Sequence, residues 1–343
     1  MITRAQDPIP LPLLITGVAG VAGFNAFDYF RARYPGQVIA IRQEDNWPLS
    51  GDGIVPCNAE DHGRLRALFD EHQFQSVLNC AGNCALRACE LDTRLAWRTN
   101  VEGLINLLSI VVERDVRFVH LSVDLVYSGR EEIAAEGFRY VESDRTDPVT
   151  VYGKTMVSAE QLLADWLPEA CVLRISLPMG VSFNGHAGAI DWIQSRFKKG
   201  RPATLYFDEV RTPAYTDCLN RLYERVLATD LSGVYHAGGP RPLSLYEIAQ
   251  VINRVGGYDP NLLMGCARIE AGPVPPRAGN VTMDSRALAD ALGDDEPLDG
   301  WPYDHAYVPT DAHWHHDRSG EPGSPELLER ILYRNPRRNP CAT

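Results

Sequence analysis

The stretch Leu11-Pro12-Leu13-Leu14-Ile15-Thr16-Gly17-Val18-Ala19-Gly20-Val21-Ala22-Gly23 begins as an apolar run and ends as a turn carrying three glycines. Behind it, Phe24 to Arg33 can wind into a helix. Strand, glycine turn and helix in this order read as a cradle for a dinucleotide. The three glycines have separate tasks there. One lets the chain turn sharply, one lets backbone N–H groups approach a pyrophosphate with no Cβ in the way, and one lets the helix pack close to the strand. The helix N-terminus then faces the phosphates. Gly17, Gly20, Val21 and Gly23 are accordingly candidate cofactor contacts.

The chain has 343 residues, of which 45% are hydrophobic and 23% charged, enough for one large or two modest globular domains. Its formal charge of −12 argues against a nucleic-acid partner, which needs a basic face. Residues 1–12 lack the pattern of a secretion signal, and no run approaches the roughly 20 apolar residues that cross a bilayer. The expectation is a soluble, cytoplasmic protein with no membrane partner. Eight cysteines include Cys80, Cys84 and Cys89 but no Cys-x-x-Cys pair, so buried reduced thiols are expected and no metal site. His313, His315 and His316 lie close together in a tail, where a solvated or packed strap is the simpler reading than a metal site.

Short apolar or β-branched runs at Leu13 to Thr16, Val38 to Ile41, Ser76 to Asn79, Phe118 to Ser122 and Val172 to Ile175 alternate with helical stretches, among them Asp61 to His72 and Thr93 to Arg114. This alternation predicts an α/β fold, a doubly wound parallel sheet of Rossmann type covered on both faces. Ligands then bind along the edge where the strands end. Residues 1–175 are expected to form the dinucleotide-binding domain, with a returning strand near 233–237. Residues 176–300 form a smaller substrate-binding region, and 301–343 a strap with a short helix near Ser324 to Tyr333. Ser244 followed by Glu247 is a capping box that opens a helix to Val255.

Further segments complete a recognisable series. Val77-Leu78-Asn79-Cys80-Ala81-Gly82 ends one strand, Asn100-Val101 lies in the next helix, Leu121 to Gly129 ends another strand, and Tyr152-Gly153-Lys154-Thr155 opens a helix. With the glycine turn, this resembles an extended short-chain dehydrogenase/reductase, most similar to the dTDP-4-dehydrorhamnose reductase branch, over about Leu13 to Gly293. The resemblance implies an NAD(P)-dependent oxidoreductase acting on a nucleotide sugar. In that family a Thr, a Tyr and a Lys four residues beyond it do the chemistry, assisted by the Asp after the Thr. Here the Tyr is Tyr152 and the Asp is Asp124, but Val123 stands in the Thr position and Met156 in the Lys position. Asn100, by its family position, is expected to hold backbone or water in the site. Lys154, two residues along the helix from Tyr152, points away from it and is a poor substitute for the missing lysine.

The resemblance also assigns the ligand contacts. Arg42 ends the second strand where an NAD-preferring enzyme places an acid, which favours a 2′-phosphate and so NADP, although Glu44 and Asp45 follow closely. Asn58 aligns with an adenine-contacting Asp, and Ala81 and Gly82 let the cofactor pass the strand end. Arg211, Thr212 and Arg277 lie in segments that line the nucleotide-sugar cleft, with Arg277 the better pyrophosphate clamp because a guanidinium fork matches phosphate oxygens. Three functions are compatible with these residues. The first is a reductase of a nucleotide-activated 4-keto-6-deoxy sugar with an atypical site. The second is a catalytically inactive NAD(P)-binding regulatory subunit resembling the methionine adenosyltransferase β subunit, and the third an epimerase or lyase on a nucleotide sugar. The sugar, the direction of hydride transfer and the oligomeric state, a homodimer included, are left open.

Overall fold

A computed structural model describes residues 8–130, 137–186, 188–294 and 298–333. Seven parallel strands form the central sheet: β1 (Leu13–Thr16), β2 (Val38–Arg42), β3 (Ile54–Pro56), β4 (Ser76–Asn79), β5 (Arg117–Val123), β6 (Cys171–Ile175) and β7 (Gly233–Ala237). Their order is β7-β6-β5-β4-β1-β2-β3. The chain builds outward from β1 to β3, then crosses to β4 and builds the other way. The reversal between β1 and β4 leaves a crevice at the strand ends, where doubly wound folds bind ligands.

Side chains alternate across the pleat, so one strand feeds two cores. Leu13 and Ile15 pack with Phe27 and Phe30 of helix α1 (Val21–Arg33) and with Leu219 and Leu222 of the helix Thr216–Leu227. Leu14 and Val77 face the other way. They meet Leu65 and Leu68 of α2 (His62–His72), Leu104 and Leu108 of α3 (Gly103–Val111), and Ala159 and Leu163 of α4 (Val151–Trp166). No described helix is long and apolar enough to cross a membrane.

Two departures from the sequence reading matter for the site. The helical stretch expected from Thr93 to Arg114 is interrupted: Thr93–Trp97 is α-helical, Arg98–Glu102 is a π-turn, and α3 ends at Val111. The wider turn carries Asn100, whose amide engages the loop after β4, and it is followed by Gly103, where a Cβ would come within 2.7 Å of Ala59. β3 was also not expected; it is three residues long at the sheet edge, too short and too exposed for a periodic signal.

The strand Gly233–Ala237 pairs with β6 along its whole length and brings His236 into a buried polar chain. Glu160 of α4 accepts from Arg174 Nε at 2.9 Å and Nη2 at 2.7 Å, and from Ser122 Oγ at 2.5 Å. Arg174 Nη1 donates to the Tyr127 hydroxyl at 2.6 Å, which lies 2.9 Å from His236 Nε2. Such a chain fixes geometry because each member is satisfied only while its neighbour stays in place. Glu160→Leu alone should lower unfolding free energy by ~3–5 kcal/mol, by stranding the guanidinium. The double variant Glu160→Leu/Arg174→Met should recover most of that loss, a comparison read from urea unfolding curves.

Candidate active site

The turn between β1 and α1 has the backbone that its glycines permit. Gly17 has φ +65°, and a Cβ on it would lie 2.3 Å from the Cys80 carbonyl oxygen. A Cβ on Gly23 would lie 2.4 Å from the Gly17 oxygen, so this glycine is what seats α1 against the turn. Gly20 is the N-cap of α1 and supplies no side-chain cap, leaving the first-turn N–H groups beside Val21 without a competing acceptor. An exposed glycine in front of uncapped N–H groups fits a diphosphate.

The far side of the cradle is already engaged in its own loop. Arg42 Nη1 donates to the Gln43 and Glu44 carbonyls at 2.8 and 3.0 Å. Asn58 Oδ1 accepts from Glu44 N at 2.9 Å. The two residues expected at the adenosine end therefore shape the 42–44 turn. Ala81 N donates to Thr16 Oγ1 at 3.2 Å, and Gly82 is exposed on the crevice loop, with Asn100 Oδ1 3.6 Å from where its Cβ would be. Asn100 accepts from Asn83 N at 2.6 Å and donates to Thr155 Oγ1 at 2.8 Å, tying this loop to α4.

Helix α4 starts at Val151 because Thr150 caps it, its hydroxyl accepting from Gly153 N at 2.9 Å. Gly153 is required there: a Cβ would sit 2.2 Å from the Leu125 carbonyl oxygen. Tyr152 is consequently pressed against the end of β5, in one apolar cluster with Val123, Leu125 and Met156. Its hydroxyl makes no hydrogen bond among the described residues and is not sealed from solvent. Burial, with Cys84 and Asp124 adding to it, pushes the phenol well above its ordinary range, and Arg211 pulls the other way. Met156 is 2% exposed and has no donor to offer; Lys154 is exposed.

Asp124 is fully buried beside this cluster. Arg211 holds it through Nε to Oδ2 at 2.6 Å and Nη2 to Oδ1, and Ser176 Oγ donates to Oδ2 at 2.5 Å. Arg211 thus lies deeper than a residue lining a phosphate cleft. Glu209 and Ser176 belong to the same group and were not foreseen, having no motif to flag them. Burial pushes the Glu209 carboxyl up although Arg211 and Arg277 oppose it. Arg277 stands 3.5 Å from Glu209 Oε2, with its guanidinium over the Tyr206 ring at 4.7 Å. Thr212 is wholly buried, its hydroxyl against Gly238, so it shapes this wall from within; the expected substrate contact needs correcting on that point.

Elsewhere, the thiols of Cys57, Cys80, Cys84, Cys89, Cys171, Cys218 and Cys266 are free, and Cys84 is exposed, unlike the buried state expected of it. His315 is buried against Gln250 at 3.1 Å while His313 and His316 are exposed, and no metal-holding group occurs among the described residues. Residues 334–343 of the expected strap lie outside the described residues.

A family model described as the RmlD substrate binding domain matches residues 11–301. The chain is 25% identical to the probable low-salt glycan biosynthesis reductase Agl14 of Haloferax volcanii, over 82% of this chain and 93% of that protein. It is 23% identical to methionine adenosyltransferase 2 subunit beta of Danio rerio, over 82% and 86%. The structure of dTDP-4-dehydrorhamnose reductase from Bacillus anthracis in complex with NADP superposes with a TM-score of 0.68 at 19% identity, over 93% of this chain and 97% of that one. The chain belongs to the RmlD substrate-binding-domain family, and its fold is that of the short-chain dehydrogenase/reductases.

At the strand ends, Thr16 Oγ1 donates to Asn79 Oδ1 at 2.5 Å, and Asn79 Nδ2 stands 2.8 Å from His120 Nδ1. Burial pushes His120 down from 6.5 to about 4. Below pH 6.5 the unfolded chain binds a proton that the folded chain refuses, so stability falls as pH drops from 6.5 towards 4. His120→Gln keeps an acceptor for Asn79 without this titration. Its stability loss between pH 7 and pH 4, read by urea unfolding, should be smaller than the parent's by ~3 kcal/mol.

Proposed function

We propose that this member of the RmlD substrate-binding-domain family is an NAD(P)H-dependent reductase of a nucleotide-activated 4-keto-6-deoxy sugar, working with an altered reaction centre. The supporting observation is Tyr152. Its hydroxyl makes no hydrogen bond among the described residues, and its ring packs with Val123 at the end of β5, the strand next to the one that faces the glycine cradle.

The residues that would hold the coenzyme are Gly17, Gly20, Val21 and Gly23 at the diphosphate, with Ala81 and Gly82 along the strand end. Arg42 and Asn58 would serve the adenosine half, and the arginine favours NADP over NAD. The bound dihydronicotinamide would supply hydride to the carbonyl carbon. Tyr152 would give its hydroxyl proton to the carbonyl oxygen. A phenol held above its ordinary pKa is protonated across the physiological range and so is ready as an acid. Asn100 would keep the 82–83 loop on α4. Asp124, both of whose oxygens accept hydrogen bonds, would position Arg211 rather than move protons. Arg277 would clamp the substrate diphosphate from its seat on Tyr206.

A second reading, an NAD(P)-binding regulatory subunit, is favoured by the loss of polar groups at Val123 and Met156 and by the likeness to the methionine adenosyltransferase subunit. Turnover separates the two. Purified protein with NADPH or NADH and a panel of nucleotide 4-keto-6-deoxy sugars should consume the coenzyme, and Tyr152→Phe should slow this ~100-fold. Tight coenzyme binding with no oxidation on any sugar would leave only the regulatory reading. Met156→Lys, which places an ammonium one helical turn from Tyr152, should raise the rate ~10-fold or more, because a neighbouring cation lowers the phenol's pKa and makes it a stronger acid towards the carbonyl oxygen.

A further inference from the structure

Helix α4 lacks the usual cation beside Tyr152, yet a cation stands near it from another direction. Arg211 is 5% exposed, on the short strand Val210–Arg211. Two of its five N–H donors meet Asp124. Ser176 Oγ donates to the same carboxylate at 2.5 Å and accepts from Thr212 N at 3.0 Å, so the residue following Arg211 is fixed through the clamp as well. Glu209, the other buried acid nearby, stands 3.5 Å from Arg277 and feels the charge of Arg211 as well, but makes no hydrogen bond to either.

What the clamp leaves over is Nη1. It makes no hydrogen bond among the described residues, and it is not one of the enclosed unpartnered atoms. A latch between β5 and the substrate region would be complete with the two donors on Asp124. A guanidinium held rigidly along one edge, with the remaining donors free, is instead the arrangement of a preorganised hydrogen-bond donor. Asp124, which the clamp holds, lies between Val123 and Leu125, and both pack in one cluster with Tyr152, so the guanidinium and the phenol meet at the same end of β5.

We propose that Arg211 is a catalytic residue, its Nη1 group donating to the same substrate oxygen that Tyr152 protonates, and so replacing the donor missing at Val123 and the cation missing at Met156. This rests on the reductase reading above. As hydride from the reduced nicotinamide adds to the carbonyl carbon, the C=O π pair moves onto oxygen and Nη1 stabilises the growing charge. The Tyr152 proton then closes the O–H bond, and Tyr152 recovers a proton from water. The sugar gains one hydride and one proton, and the coenzyme leaves oxidised.

The test uses the full chain, the active nucleotide 4-keto sugar from the panel, and NADPH binding by calorimetry as a measure of the intact fold. Arg211→Met should lower kcat by about 100- to 1,000-fold while the NADPH dissociation constant stays within about threefold, the size of loss typical of a missing oxyanion donor. Adding Met156→Lys to Arg211→Met should raise kcat well beyond the ~10-fold gain that it gives the parent, an excess that a purely structural defect would not show. Arg211→Met with an unchanged kcat, or with a loss that Met156→Lys relieves no more than it speeds the parent, would overturn the assignment of Arg211 alone. A parent protein that binds NADPH and reduces no sugar would overturn both the reductase reading and this role.

Discussion

The ion pair between Asp124 and Arg211 is the constraint on which the candidate site depends. A carboxylate withdrawn wholly from water is tolerable only where an opposite charge and further hydrogen bonds meet it. Asp124 follows β5, Ser176 follows β6, and Arg211 ends the short strand Val210–Arg211. Satisfying one carboxylate therefore locks two strand ends and that short strand into one arrangement. Tyr152 packs against that arrangement, so its position is inherited from a pair in which it takes no part.

Much of the scaffold is legible in the amino-acid order because two strong local rules act together. The apolar runs at 13–16 and 76–79 can only be buried strands, and the glycine spacing after the first demands the backbone found at Gly17 and Gly23. The Ser244–Glu247 capping box likewise marks its helix start by side-chain chemistry alone. The site is less legible because its partners are distant in the chain. Nothing local to Asp124 announces Arg211, which lies 87 residues on, and nothing near Asn58 announces that Glu44 takes its amide. The π-turn at Asn100 leaves no compositional trace either, since one extra residue in a turn leaves the apolar face of Leu104, Leu107 and Leu108 intact.

The charge inventory explains why a site with Val123 and Met156 is self-consistent rather than merely depleted. Of the buried carboxylates, Asp124 and Glu160 are each held by a buried guanidinium, Arg211 and Arg174, while Glu209 faces the less buried Arg277. Arginine suits both positions, because its fork can hold a carboxylate bidentately and still donate elsewhere, as Arg174 does to Tyr127. A lysine in either place would offer one point charge and lose the second contact.

Met156 belongs to this balance. Positions 156 and 160 are one turn apart on α4, so an ammonium at 156 would arise beside Glu160. Glu160, however, already accepts from both arms of Arg174 and from Ser122. The added cation would act on the phenol instead and lower its pKa. With methionine there, the phenol rests neutral, and the positive charge stays on the opposite wall with Arg211. On the reductase reading proposed above, methionine at 156 moves the site's cation to the wall of Arg211 rather than removing it, and the two walls act as one electrostatic unit.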